Sequence, residues 1–510
     1  MIPVLGPDAL READAWTIRN EPISSLGLME RAARACADRI MPALAQAGHP
    51  QVVVVAGMGN NGGDGLAIAR MLSDAGERVH VVRILHREEP SADHLANLHR
   101  VRESGIQVSD VASLDQWPLM PDRAWMIDAL VGIGLKGPLS GLAADVVRAM
   151  NRSACCMVSI DMPSGLMAEG NGDEDPVIRA VRTLTFEVPK LSFLLPENER
   201  FVGEWEIIRI GLDADYLHRL PTSHRIAEAR DAGDLLVRRG RFAHKGQFGH
   251  AYLIAGQEGR MGAAVLAARA CCRSGAGLIT AHVPRGGLPV MQAALPEAMC
   301  TIDAASERIT GIGPLEAYTA IGCGPGMGVF SATRSAVRDV LHRWKGPLVL
   351  DADALNVLAE ERDLLACASA KWVLTPHPKE FDRLAARRFD NGRARLECAG
   401  ALAAEWGCHI ILKGAYSAIC KPDASVVFNP TGGPGMARGG SGDALTGVLT
   451  SLLAQGLSPY AACLLGTYAH GLAGDIAAGT KGIDGMLTTD LVEALPEAWR
   501  SLRARSTKDA

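Results

Sequence analysis

Asp443 ends the run Arg438-Gly439-Gly440-Ser441-Gly442-Asp443, at the mouth of an apolar stretch that extends from Ala444 to about Leu453. The glycines and the serine leave backbone N–H groups free to converge at a helix N-terminus, where orphan amides and the helix dipole favour an anion. A carboxylate in that first turn repels a resting phosphate. It is better suited to draw the proton from a hydroxyl that attacks a transferred phosphoryl group. The same spacing also serves an ordinary N-cap loop, so this motif needs company from elsewhere in the chain.

A second constellation lies in the first half. The β-branched run at residues 52–55 leads into Ala56-Gly57-Met58-Gly59-Asn60-Asn61-Gly62-Gly63-Asp64-Gly65, which satisfies G-x-G-x-x-G and opens a helix. A dinucleotide dehydrogenase needs an acidic residue at the end of the next strand to hold a ribose, and here that strand ends Val82-Arg83-Ile84-Leu85-His86. The plain dinucleotide fingerprint therefore loses ground, while Asn60, Asn61 and Asp64 supply side-chain oxygens that a bare phosphate loop does not need. Two further strand ends carry polar groups, at residues 128–137 and at Ser159-Ile160-Asp161-Met162-Pro163-Ser164-Gly165. Ligands of open α/β sheets bind at the carboxyl ends of the strands. Asn61, Asp128 and Ser164 offer hard oxygen ligands for a group-one or group-two cation. Asp161 and Lys136 form a candidate acid/base pair.

These residues need a scaffold, and the sequence indicates two. At 510 residues the chain exceeds what one core usually serves, so two domains are expected, with a boundary near residue 220 inside the polar stretch 213–232. Strand patterns at 51–55, 79–85, 125–128, 157–161, 183–186 and 205–210 alternate with helical patterns, and a second series runs through 251–255, 278–283, 318–321, 348–351, 372–375, 409–412, 417–420 and 426–429. That rhythm predicts mostly parallel sheets covered by helices. Residues 444–474 hold no Asp, Glu, Lys or Arg, but Gln455-Gly456-Leu457-Ser458-Pro459 breaks them into pieces too short to cross a bilayer, so a buried helical hairpin is expected. The tail 501–510 is expected to fray.

The formal charge of −5, with scattered basic residues, lacks the footprint of a nucleic-acid binder, and small metabolites are the expected partners. No membrane association is expected, and a homo-oligomer is. The twelve cysteines lack metal-type spacing, and Cys155-Cys156 and Cys271-Cys272 read as buried reduced thiols. Asp8, Arg11, Glu12 and Asp14 stand where an export leader would put its apolar core, so a cytoplasmic location is expected.

Asn60 to Gly65, Asp128 to Gly137 and Asp161 to Gly165, preceded by Leu28-Met29-Glu30-Arg31-Ala32, resemble the NAD(P)H-hydrate epimerase domain over roughly residues 8–215. The resemblance implies a Rossmann-like α/β domain. It implies that Asn60, Asn61, Gly62, Gly63 and Asp64, with Gly132, Ile133, Gly134, Leu135, Lys136, Gly137 and Pro138, contact the hydrated dinucleotide. It further implies that Asn61, Asp128 and Ser164 hold potassium and that Asp161, with Lys136, carries the interconversion of the R and S epimers at C6.

The second half carries His244-Lys245-Gly246-Gln247-Phe248-Gly249, Gly322-Cys323-Gly324-Pro325-Gly326, Thr375-Pro376-His377-Pro378-Lys379-Glu380-Phe381 and the block 429–443. Together they resemble the ADP/ATP-dependent NAD(P)H-hydrate dehydratase, a branch of the ribokinase-like fold, over roughly residues 225–500. That resemblance implies nucleotide contacts at Lys413, Gly414, Ala415, Tyr416, Ser417 and Gly442, a phosphate nest at Gly439, Gly440, Ser441 and Gly442, and hydrate contacts at Ala263, Gly326, His377 and Asp443. Asp443 is then the base, ADP or ATP the co-substrate, and Mg2+ the expected companion of the phosphoryl donor, with Glu380 and Asp351 as candidate ligands. Lys379 stands where the family often has glycine and is expected to face solvent. The residues alone leave two other readings open. The second half could phosphorylate a vitamin alcohol, because the nest serves any hydroxyl acceptor, and the first half could be a noncatalytic binding module.

Overall fold

The computed structural model describes residues 1–168 and 175–506. It divides into two compact units, residues 2–222 and Met1 with residues 223–510.

In the first unit the strands stack in the order Gln107–Val111, Val79–Ile84, Val52–Ala56, Trp125–Ala129, Cys156–Ile160, Arg182–Phe186 and Glu204–Ile208, every neighbouring pair parallel. The central strand Val52–Ala56 is buried at every position, which is why it reads as an unbroken valine run rather than an alternating one. From it the chain builds outward in one direction and then returns to build in the other. The switch lies between Val52–Ala56 and Trp125–Ala129, where Val55 is in register with Asp128. The loops leaving these strands diverge, and a crevice opens at their carboxyl ends. The edge strand Gln107–Val111 escaped the sequence reading because an exposed edge with Ser109 and Asp110 carries little apolar pattern.

In the second unit the order is His224–Ile226, Val426–Phe428, Ala418–Cys420, His409–Leu412, Trp372–Leu374, Leu348–Leu350, Ala320–Cys323, His250–Ile254, Leu278–Val283 and Met299–Ile302. Ala418–Cys420 runs antiparallel to both neighbours, and the other pairs are parallel. The switch falls between His250–Ile254 and Ala320–Cys323. His224–Ile226 lies inside the stretch expected to be irregular, because three residues are too few to show a period.

The charge-free segment is a pair of helices, Ser441–Ala454 and Pro459–Lys481, as the broken apolar run predicted. Every residue from Ala444 to Ala454 is buried. Gly447 lets the first of these helices lie against Met261–Arg273, since a Cβ there would stand 1.9 Å from the Ala267 carbonyl oxygen. A helix apolar on all faces is what a position in the centre of a domain demands. No helix among the described residues is long and apolar enough to cross a membrane.

Two expectations need correction. All twelve cysteines are free, but Cys155, Cys156 and Cys272 are half-exposed rather than buried. The tail does not fray from residue 501, because the helix Thr488–Arg503 runs into it and buries Leu502; residues 507–510 lie outside the described residues.

Candidate active sites

In the first unit the crevice gathers three loops. Asn60–Asp74 begins directly after the central strand, and its first turn is forced close to the chain behind it: a Cβ on Gly62 would fall 1.8 Å from the Gly57 carbonyl oxygen. Met29 packs under the same loop, within 2.8 Å of where a Gly63 Cβ would be, while the Asn97 amide donates to the Gly63 carbonyl at 3.3 Å. Glu30 holds Arg70 and Arg100 at 2.5 and 2.7 Å, so the Leu28-Met29-Glu30-Arg31 stretch acts as a brace for the glycine turn.

Asp128 is wholly buried at its strand end. Its carboxylate accepts from Ser159 Oγ at 2.7 Å, Ser164 Oγ at 2.5 Å, Ser164 N at 2.8 Å and Leu130 N at 3.3 Å. Burial pushes its pKa up, and these hydrogen bonds oppose the shift. Asn61 presents an amide whose oxygen and nitrogen are both buried and without a partner. A buried amide left in that state is costly unless something else coordinates it. Gly132 lies against both Asn61 and Asp161, with an added Cβ 3.2 Å from Asn61 Cγ and 3.3 Å from Asp161 Oδ2. Asn60 and most of the 134–138 loop form the exposed rim.

Asp161 adopts φ of +64°, a left-handed conformation that aspartate tolerates better than most residues. It does not meet Lys136. That lysine is exposed and forms no ion pair among the described residues. Lys190 takes the place instead, fully buried, its ammonium donating to Asp161 Oδ1, Thr185 Oγ1 and the Phe186 carbonyl, each at 2.6 Å. Asp161 Oδ2 accepts weakly from Ile133 N at 3.4 Å. Around this pair stand two carboxyls. Asp14 is raised to about 6 by burial and then by the charge of Asp161. Asp64 is pushed well above the usual carboxylate range by burial, Asp161 and Asp14.

The second site is built at the first turn of Ser441–Ala454. Gly440 caps it at φ +95°, a conformation glycine adopts without cost. The Gly440 carbonyl accepts from Ala444 N, which leaves the amides of Ser441, Gly442 and Asp443 ahead of the first helical acceptor. Buried His470, from Pro459–Lys481, lies 2.9 Å through Nε2 from the Ser441 carbonyl, and Ser441 Oγ donates to Met436 O at 2.9 Å. The nest is thus tied from two sides. Lys413 Nζ lies 3.2 Å from where a Gly442 Cβ would stand.

Lys413 is itself held by Asp351 at 2.8 Å, with Glu380 at 3.9 Å, and Thr446 Oγ1 donates to the other Asp351 oxygen at 2.8 Å. Burial pulls the Lys413 pKa down, but the charges of Asp351 and Glu380 outweigh it, so the lysine stays firmly protonated. Asp443 is raised to about 7 by burial and then by the charge of Asp351, with Lys413 opposing. A carboxylate poised there is suited to general-base work at neutral pH.

His377 caps Pro378–Leu384, its Nδ1 accepting from Lys379 N at 3.2 Å and Glu380 N at 3.3 Å. Burial lowers its pKa. Ala263 and Gly326 meet across the crevice, an added Gly326 Cβ lying 3.0 Å from Ala263 Cβ. Gly414, Ala415, Tyr416 and Ser417 form the turn between His409–Leu412 and the antiparallel Ala418–Cys420. Asp351 and Glu380, the candidate magnesium ligands, are already engaged: Asp351 by Lys413 and Thr446, Glu380 by His377 N at 2.9 Å.

Comparison with known proteins matches residues 25–192 to the family model described as the YjeF-related protein N-terminus, and residues 251–497 to that of NAD(P)H-hydrate dehydratase. The bifunctional NAD(P)H-hydrate repair enzyme of Moorella thermoacetica is 36% identical, over 94% of this chain and 93% of its own. The chain belongs to the bifunctional NAD(P)H-hydrate repair enzymes.

The repair enzyme of Escherichia coli K12 is 33% identical over 87% of this chain and 84% of its own. Among solved structures, the ADP/ATP-dependent NAD(P)H-hydrate dehydratase of Bacillus subtilis co-crystallised with ATP and Mg2+ is 30% identical; it matches 55% of this chain and 98% of its own at a TM-score of 0.49. Within this repair enzyme the sequence reading missed Lys190, Asp14, Thr446 and His470. Lys190 follows a strand by four residues on the same sheet edge as Asp161, a signal that was there to be read. Asp14 gave no local signal, since only the packing of Pro7–Asn20 brings its charge to Asp161. His470 lay in a helix whose apolar composition suggested core alone.

Proposed function

We propose that the first unit epimerises hydrated NADH and NADPH at C6, and that the second dehydrates the S epimer at the expense of ADP or ATP. The observation that carries this is Asp443, with its pKa raised to about 7, in the first turn beside the Gly442 amide and the Lys413 ammonium.

In the second site Asp443 takes the proton of the C6 hydroxyl. The oxygen attacks the terminal phosphorus of the nucleotide, whose bond to the bridging oxygen breaks, releasing AMP or ADP. The resulting phosphate ester leaves from C6 as inorganic phosphate with loss of the C5 proton, which restores the ring double bond. The nest amides and Lys413 stabilise charge on the transferring group. Mg2+ would accompany the phosphates of the nucleotide and offset their charge during the transfer.

In the first site the ring nitrogen expels the C6 hydroxyl as water and water returns to the opposite face, Asp161 supplying and recovering the proton. Lys190 fixes the position of Asp161. The buried, unpartnered Asn61 amide, the Asp128 carboxylate and the Ser164 hydroxyl fit potassium, which would neutralise charge beside the substrate. Lys136 then acts from the rim on the dinucleotide rather than as the partner of Asp161. We place the enzyme in the cytoplasm, as a homo-oligomer.

The test is to incubate the purified chain with mixed R and S hydrates plus ADP or ATP and Mg2+, following near-ultraviolet recovery of NAD(P)H. Full recovery requires both sites. Recovery of the S fraction alone removes the epimerase, and a stable phosphorylated product would make the second unit an ordinary kinase.

A further inference from the structure

The helix that His377 caps leads into a basic pocket with no assigned role. It measures about 600 Å³ and is lined by Lys379, Asp382, Arg383, Arg387, Arg388 and Phe389. Four cations and one carboxylate face it, and that carboxylate is already neutralised: Asp382 is bound by Arg395 at 2.8 and 3.2 Å. Among the described residues no carboxylate pairs with Lys379 or Arg388. Arg387 stacks on Phe389 at 5.1 Å from the ring centroid, and Arg383 donates to the Asn356 amide oxygen at 2.9 Å. Neither of these two partners is an anion. Unpaired cations held this close repel one another, and a polyanion is the ligand that repays the arrangement.

The position identifies the anion. Lys379 N donates to His377 Nδ1, and the Arg383 charge is felt at His377. At about 1.5 Å per helical residue, Arg383 lies roughly 9 Å along the axis from His377, within the reach of a dinucleotide whose nicotinamide end is at the site. On the dehydratase reading the adenine nucleotide takes the turn at Gly414 to Ser417, which is a different loop. Guanidinium forks match the oxygens of a phosphate monoester.

We infer that this pocket binds the 2′-phosphate on the adenosine ribose of the hydrated substrate, so that the dehydratase prefers NADPH hydrate to NADH hydrate. The inference rests on the dehydratase reading above. Lys379, where the related enzymes often have glycine, then faces the phosphate rather than bulk solvent alone.

The experiment uses the full chain, with Arg387→Ala/Arg388→Ala and Lys379→Gly variants, saturating ATP, and the S epimers of both hydrates. All three residues are exposed, so the fold is expected to survive. The expected result is a rise in KM for NADPH hydrate on the order of tenfold in the double variant, with kcat and the KM values for NADH hydrate and ATP held within about twofold. An equal change for both hydrates, a change confined to ATP, or no change overturns the assignment. Calorimetric comparison of NADP+ with NAD+ gives a second readout: the preference for NADP+ should shrink in the double variant, and a preserved preference overturns it. Failure of the wild type to dehydrate either hydrate would sink the dehydratase reading instead, and the NADP+ comparison would still decide the pocket.

Discussion

Lys190 Nζ lies 2.6 Å from Asp161 Oδ1, the lysine fully enclosed and the aspartate in a left-handed turn at the carboxyl end of its strand. The lysine spends its other donors on Thr185 and Phe186, so it cannot swing away without leaving buried acceptors bare. The pair is therefore a fixed electrostatic unit. Removing one member of a buried pair costs about 3–5 kcal/mol, because the other is left charged and unsolvated.

Lys190→Met should lower epimerisation at least about a hundredfold and reduce thermal stability, while dehydration of the pure S epimer continues. Asp161→Asn should lose epimerisation to a similar degree with a comparable stability loss, because it leaves the enclosed Lys190 ammonium without a counter-charge. Lys136→Ala should affect KM more than kcat. Separate rate measurements on R-enriched and S-enriched hydrate decide the matter, and full epimerase activity in Asp161→Asn would remove that residue from the chemistry.

Asp443 gives a pH prediction with a definite sign. The carboxylate form is the base, and its pKa is raised from 3.8 to about 7. Hence kcat/KM for the hydrate should climb through pH 7 and level off above it, and Asp443→Asn should be slow and pH-independent there. The stability consequence runs the other way. A carboxyl with a raised folded-state pKa binds its proton more tightly folded than unfolded, so it destabilises progressively from about pH 3.8 to pH 7 and is neutral below. Asp443→Asn should therefore melt higher than wild type at pH 8 and equally at pH 3.5, as read by calorimetry.

Lys413→Ala leaves Asp351, only 1% exposed, without its cation. The expected outcome is a large rise in KM for ATP together with a lower melting temperature. Lys413→Arg should recover stability better than activity, because a planar guanidinium does not reproduce an ammonium beside Gly442.

Replacing K+ by tetramethylammonium should slow epimerisation without affecting dehydration, and Asn61→Ala should abolish the difference between the two salts. Equal epimerisation rates in both salts for the wild-type chain would show that the Asn61, Asp128 and Ser164 oxygens do not hold potassium.

Gly62→Ala should abolish epimerisation while sparing the second unit. The new Cβ would collide with the Gly57 backbone, and backbone cannot yield as a flexible side chain can. Far-ultraviolet spectra alongside separate assays of each half would check it.

Strand ends and glycine turns were visible in the chain because both obey local rules. A buried parallel strand writes itself as a β-branched run, and a helix mouth that must leave its amides free needs glycine. The loops holding Asn61, Asp128, Asp161, His377, Lys413 and Asp443 could all be placed in that way. The strands Gln107–Val111 and His224–Ile226 could not, since exposure in the first and brevity in the second erase the pattern.

The residues by themselves determined which chemical groups are present and on which edge of a parallel sheet they fall. They did not determine partnership. Lys136 stands nearer to Asp161 in sequence than Lys190 does, at 25 residues against 29, yet only Lys190 reaches it. The reason is that pairing of buried charges is settled by which side chain the packing encloses, and the strand Arg182–Phe186 carries Lys190 inward while the 132–138 loop leaves Lys136 in water. The same holds for His470 and Asp14: their roles come from helices brought together by burial of apolar faces, a long-range outcome that no local spacing encodes.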